Sequence, residues 1–149
     1  MGKHVTMIIN WDTSPFIVSA SESVASALGR ITDNKKRCVF VVTDDGRLVG
    51  SLTDGDFRRW LVTATDPTLS SPCGDAANRS CITIDHQRLS EAGDVFVPGV
   101  DLVPVIDARR HVVGFAQPRS RDFTIAGREV STASDVFVIA EIGINHNGS

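Results

Sequence analysis

The stretch Gly50-Ser51-Leu52-Thr53-Asp54-Gly55-Asp56-Phe57-Arg58-Arg59 gathers two hydroxyls, two carboxylates and two guanidinium groups in one short segment. An apolar run leads into it and reads as a strand that passes through a turn straight into a helix start. Unpaired backbone N–H groups and the positive end of the helix dipole collect at such a point, so an anion fits there. Arg58 or Arg59 can add a charge-assisted contact. Thr53 offers a hydroxyl, and the two acceptor oxygens of Asp56 can take both hydroxyls of a ribose. A ribose with a phosphate is the simplest ligand having both needs. The same residues also read as helix caps alone, with Thr53, Asp54 and Asp56 closing the first turn and the arginines solvated.

The elements that must position this segment repeat along the chain. Arg37-Cys38-Val39-Phe40-Val41-Val42, the turn residues Thr43-Asp44-Asp45-Gly46 and the apolar run Leu48-Val49-Gly50-Ser51-Leu52 read as a β-hairpin. Leu102 to Ile106, Asp107 to Arg110 and His111 to Phe115 repeat the plan, so that Val41 matches Val105, Val42 matches Ile106 and Gly50 matches Gly114, an offset of 64 positions. A short strand and a helical pattern precede each hairpin. In the first unit these are Phe16-Ile17-Val18, a Ser19/Glu22 capping box, and Val24, Ala27, Leu28 and Ile31 on one helix face. In the second they are Cys81 to Ile84, then Leu89, Ala92, Gly93 and Phe96, with Gly93 weakening the helix. A helix carrying Phe57, Trp60 and Leu61 on one face closes the first unit, and Thr65 to Pro72 forms the connector. Units of about 60 residues bury too little surface alone and are expected to pack as a pair.

Bulk properties narrow the function. The chain has 149 residues, 42% hydrophobic and 22% charged, which suits a globular protein too small for a large catalytic barrel. No apolar run approaches the roughly 20 residues that span a bilayer, and the start lacks the apolar core of a secretion signal. A net charge of −3 gives no general attraction for nucleic acid. Cys38, Cys73 and Cys81 lack Cys-x-x-Cys spacing and read as reduced thiols of a cytoplasmic protein, and His4, His86, His111 and His146 show no paired metal spacing.

Joined to the repeat, the spacing Gly50-x-x-Thr53-x-x-Asp56 resembles the cystathionine-β-synthase-type (CBS) domain family over residues 14 to 120. The resemblance implies an α/β (α+β) fold of two tandem units, each strand-helix-strand-strand-helix, packed as a pseudo-symmetric pair. The expected boundaries are 1–64, 65–120 and 121–149. It also implies a regulatory module without catalytic activity, the cleft between the paired domains being the place where such proteins commonly hold adenosine nucleotides. By position, Asp56 would hold the ribose hydroxyls and Thr53 the ribose or phosphate, with Arg58 beside them. Phe16, Ile17, Val39 and Phe40 would sandwich the base. Gln117 and Ser120 stand where the second unit would carry Thr and Asp, so one competent nucleotide site per chain is expected. The nucleotide is the one small-molecule partner implied, with homodimerisation through the pairs and neither nucleic acid nor membrane involved. The alternative is a pair that holds no ligand and serves only to dimerise subunits.

Val136 to Ala140 suits a strand buried on both faces, and Ile139-Ala-Glu-Ile-Gly-Ile-Asn-His-Asn-Gly148 is similar to the opening of the sialic acid synthase family. These enzymes condense phosphoenolpyruvate with an amino sugar. The similarity implies that the chain stops just inside such a barrel, where Glu141 and Asn145 would help line the substrate site of a parent enzyme.

Overall fold

The computed structural model describes residues 7–92 and 95–118, and the strands 123–125 and 128–130. Two compact units are present, Met1–Pro118 and Arg119–Ser149. Of the latter, strands Phe123–Ile125 and Arg128–Val130 pair antiparallel. Ser120, Glu141, Asn145, His146 and the expected strand Val136 to Ala140 lie outside the described residues. No helix among the described residues is long and apolar enough to cross a membrane.

After strand β1 (Met7–Asn10), the first half runs through a 3₁₀ turn at Ser14–Phe16 into β2 (Ile17–Ser19), α1 (Val24–Asn34), β3 (Cys38–Val42), β4 (Leu48–Thr53) and α2 (Asp54–Thr63). Strand β3 is parallel to β2 and antiparallel to β4. The expected face of α1 forms: Val24, Ala27 and Ile31 are buried against Val39, Val41 and Leu52 of the sheet, with Leu28 partly buried beside them. Its cap differs from the expectation. Ser23 caps α1 by accepting the N–H of Ser26, while the Glu22 carboxylate takes the Ser19 N–H and the Ser26 hydroxyl in the preceding turn. On α2, Trp60 is buried, but Leu61 is 41% exposed.

The second half contains β5 (Ile84–Asp85), β6 (Val103–Ile106) and β7 (Val112–Pro118). Its first helix does not form as expected. A 3₁₀ segment at His86–Glu91, with Arg88 off helical geometry, takes its place, and Gly93 lies outside the described residues. Leu89 and Phe96 nonetheless pack partly buried against Val103, Val105 and Ala116, because the apolar spacing still faces the sheet. Of the expected strand Cys81 to Ile84 only Ile84 pairs with β6, joined by Asp85, so Cys81, Ile82 and Thr83 are left outside the sheet.

The internal repeat is reproduced in fine detail. A register shift falls between Val41 and Val42 in the first hairpin and between Val105 and Ile106 in the second. The Gly46 N–H donates to Thr43, and at the matching place the Arg110 N–H donates to Asp107. Both turn positions have positive φ, +87° at Gly46 and +68° at Arg110. The two turns also bond to each other reciprocally: Leu48 N–H to Arg110 C=O at 2.8 Å and Val112 N–H to Gly46 C=O at 3.3 Å.

Each half lends its leading segment to the other. Strand β1 pairs antiparallel with β7, placing Asn10 opposite Phe115, so the second sheet has the order β1-β7-β6-β5. Asn78, on the approach to the second half, exchanges both backbone hydrogen bonds with Ser51 on β4, at 3.1 and 2.7 Å. Glycine is required beneath both crossings. A Cβ on Gly50 would lie 2.4 Å from the Asn78 carbonyl oxygen, and one on Gly114 would lie 2.8 Å from the Trp11 ring and 3.0 Å from the Asn10 oxygen. Between the sheets, Phe16, Phe40 and Phe115 form a tilted aromatic cluster, with Phe16 and Phe115 centroids 4.5 Å apart. Leu48, Leu102 and Ile106 complete this shared core.

Gly50→Ala is therefore expected to destabilise by at least about 1–3 kcal/mol, since the clash is with backbone. Gly29→Ala, inside α1 with nothing within 4 Å of the added carbon, is expected to stabilise by about 0.5–1 kcal/mol. Urea unfolding of the two variants gives these opposite signs if the crossing is as described.

Candidate functional site

Strand β4 delivers Thr53 to the N-terminus of α2, and the residues there close a full capping box. The Thr53 hydroxyl accepts the Asp56 N–H at 3.2 Å, and Asp56 Oδ2 accepts the Thr53 N–H at 3.0 Å. The Thr53 hydroxyl also donates to Asp56 Oδ2 at 2.8 Å, and Arg59 Nη1 donates to Oδ1 at 3.1 Å. Asp56 is the buried charged residue among those described, 7% exposed. A carboxylate offers about four acceptor positions, and these contacts occupy three. Arg59 is 68% exposed, so its ion pair contributes little, at most about 1 kcal/mol, and is the contact most easily given up to a ligand hydroxyl.

This helix start opens onto a cleft of about 690 Å³, within the range of small-molecule sites. Thr53, Asp56 and Arg58 line it, with Asp54 and Gly55. Facing them are Lys36 to Cys38 at the start of β3, the loop residues Asn78 and Ser80 to Ile82, and Gly99 to Leu102 with Pro104.

Four residues assigned to the base from the sequence are not on the cleft wall. Val39 and Phe40 are fully buried on opposite sides of β3, in different cores, while Phe16 is buried and Ile17 packs against the aromatic cluster. The strand exchange supplies the physical reason. The leading segment that crosses the first half's hairpin is the second half's own, so Cys81 and Ile82 reach the cleft where Phe16 and Ile17 were expected. Neither sequence motif nor periodicity announces that exchange; the offset of 64 alone could have pointed to residues 100–102 as the counterparts of 36–38.

The segment Lys35-Lys36-Arg37 has an unusual backbone. Lys35 and Arg37 both adopt positive φ, +59° and +61°, a conformation that costs a residue with a side chain about 1 kcal/mol or more. Asn34 holds the turn from both ends: its Oδ1 accepts the Lys36 N–H at 2.8 Å, and its Nδ2 donates to the Cys38 carbonyl at 2.9 Å. Lys36 and Arg37 bring cations to the cleft wall, and all three residues are exposed.

Burial favours the protonated form of the thiols near this cleft. Burial, reinforced by the Asp56 carboxylate and Cys81, pushes the Cys38 thiol up to about 12. Burial also raises Cys81, against hydrogen bonding from Ser51. Farther away, burial and the Glu22 carboxylate push Cys73 up to about 11. No cluster of three or more metal-ligating side chains occurs among the described residues.

Comparison with known proteins agrees with this architecture. Residues 12–63 match the family model of the CBS domain. The fold is that of CBS pair structures. A CBS domain protein from Streptococcus pneumoniae superposes with a TM-score of 0.60 at 14% identity, covering 76% of this chain and 74% of that one. A CBS domain pair/ACT domain protein from Thermotoga maritima gives 0.58 at 17% identity, over 73% and 84%. OpuCA of Staphylococcus aureus gives 0.55 at 20% identity, over 68% and 83%. A search among curated proteins finds no match.

The raised Cys38 value carries a sign for stability. The folded state holds the thiol proton more tightly than the unfolded chain, whose thiol has the ordinary value of 9.0, so the contribution is complete below pH 9 and is lost as pH rises toward 12. Cys38→Ala is expected to flatten the alkaline fall of stability between pH 9 and the highest pH at which unfolding is reversible. An unchanged slope in urea melts would count against burial of a protonated thiol.

Proposed function

We propose that the chain is a regulatory module that binds an adenosine nucleotide in the cleft at the N-terminus of α2. The observation that carries this reading is the placement of the buried Asp56 carboxylate and the Thr53 hydroxyl at the mouth of a ligand-sized cleft whose opposite edge is cationic. The ribose hydroxyls donate to Asp56, one at its vacant acceptor position and one at the position Arg59 gives up. The phosphate lies against the α2 N-terminus, within reach of Arg58, Lys36 and Arg37. The base lies against Cys81, Ile82 and Cys38, which supply the apolar part of the wall. Support for adenosine comes from the resemblance of Thr53 and Asp56 to the motif of the CBS family and from the family match over residues 12–63. Regulation requires that the ligand favour one arrangement of the two halves over another, because equal affinity for both shifts nothing. The string Ile139 to Gly148 supports attachment to a sialic-acid-synthase-like barrel. A reading frame that closes within a few codons of Ser149 would remove that attachment.

A second reading has one observation in its favour: the capping box already satisfies Thr53 and Asp56 without a ligand. On that reading the pair serves only to join two copies of the chain in a cytoplasmic homodimer. Isothermal calorimetry with AMP, ADP and ATP separates the two. Binding is expected in the micromolar range, falling about tenfold or more in Asp56→Asn, which keeps an oxygen to accept the Thr53 N–H. Absence of binding by all three nucleotides, with a nucleotide-indifferent dimer in light scattering, would establish the structural role instead.

A further inference from the structure

A second cavity, of about 340 Å³, adjoins the first and shares with it Lys36, Arg37, Asp101 and Leu102. Lys35, Gln117 and Pro118 line it beyond that shared edge. Its position is set by the internal repeat. With the offset of 64, Gln117 and Pro118 are the counterparts of Thr53 and Asp54, and Asp101 and Leu102 are the counterparts of Arg37 and Cys38. The second cavity is thus the symmetry mate of the first, in the half where the Thr is replaced by Gln.

Its chemistry is different. In the first cleft Lys36, Arg37 and Arg58 face Asp54, Asp56 and Asp101, so the cations and carboxylates are matched. In the second, Lys35, Lys36 and Arg37 face Asp101 alone, leaving an excess of positive charge. None of the three cations has an ion-pair partner among the described residues. They are held at this edge by a backbone with two left-handed residues, clamped on both sides by Asn34. Three consecutive cations that repel one another, on a turn of strained conformation, are arranged for an anion of high charge.

We propose that the second cavity is the subsite for the terminal phosphates of a nucleoside triphosphate whose nucleoside occupies the first cleft, so that both halves bind one ligand in common. This inference rests on the nucleotide reading of the first cleft. The ribose and first phosphate stay at α2, and the chain of phosphates passes over the shared edge at Lys36 and Arg37 to Lys35. Gln117, which has lost the hydroxyl of its counterpart, has an amide N–H₂ to donate to a phosphate oxygen. Asn34 is a positioning residue that touches no ligand and fixes the turn.

Calorimetry on the full chain in magnesium-free buffer, with AMP, ATP and inorganic tripolyphosphate as probes, tests this. ATP is expected to bind at least tenfold more tightly than AMP. Lys35→Gly keeps the left-handed turn without steric strain and is expected to weaken ATP about tenfold while AMP changes less than twofold. AMP binding as tightly as ATP, or an equal loss for both in Lys35→Gly, would overturn the subsite and leave the nucleoside cleft standing. Tripolyphosphate binding that is lost in Lys35→Gly, without binding of either nucleotide, would support the subsite and overturn the nucleoside cleft. Silence from all three probes would overturn both.

Discussion

Everything in the first 118 residues depends on the exchange of leading segments between the two hairpins. Asn78 lies on β4 and β1 lies on β7, and each crossing passes so close that a methyl group on Gly50 or Gly114 would meet a backbone oxygen. The exchange completes both sheets, stacks Phe16 on Phe115 across the halves, and carries Cys81 and Ile82 to a wall that the first half could not build alone. Burial of Phe40 and Phe115, each worth about 2–3 kcal/mol, is therefore a property of the pair and not of either half.

The two halves share a scaffold but diverge in chemistry. Where the first has a strand feeding a capped helix with a buried carboxylate, the second has a 3₁₀ segment at His86–Glu91 in place of its expected first helix and Gln117 at the place of the motif's Thr. The scaffold tolerates this because the apolar spacing of Leu89 and Phe96 still covers the sheet without helical geometry. Matched charges in one cavity and unmatched cations in its mate follow from only a few positions, since Asp54, Asp56 and Arg58 line the first alone and Lys35 lines the second alone. A symmetric backbone thereby presents an asymmetric field.

Much of this was legible in the residues. The hairpins were, because β-branched runs flank turn residues at a fixed offset, and even the bulges recur at that offset. The Thr53 and Asp56 pair was legible too, since the strand-turn-helix spacing leaves those side chains at a helix start in either reading. The base wall was not, because Phe16, Val39 and Phe40 are apolar residues near the right strands, and nothing in their types distinguishes a core position from a cleft position. The cationic edge was also hidden. Lys35-Lys36-Arg37 looks like any solvated loop until its positive φ values and the Asn34 clamp are seen.

The reciprocal bonds between the two hairpin turns, Leu48 to Arg110 and Val112 to Gly46, have a bearing on cooperativity. The family match covers residues 12–63, yet those residues leave Gly50 without its covering strand and Phe16 without its aromatic neighbour. The segment that matches the family model is thus shorter than the one whose contacts complete its core. Loss of either half would strip contacts from the other, so the two are expected to unfold as one cooperative unit.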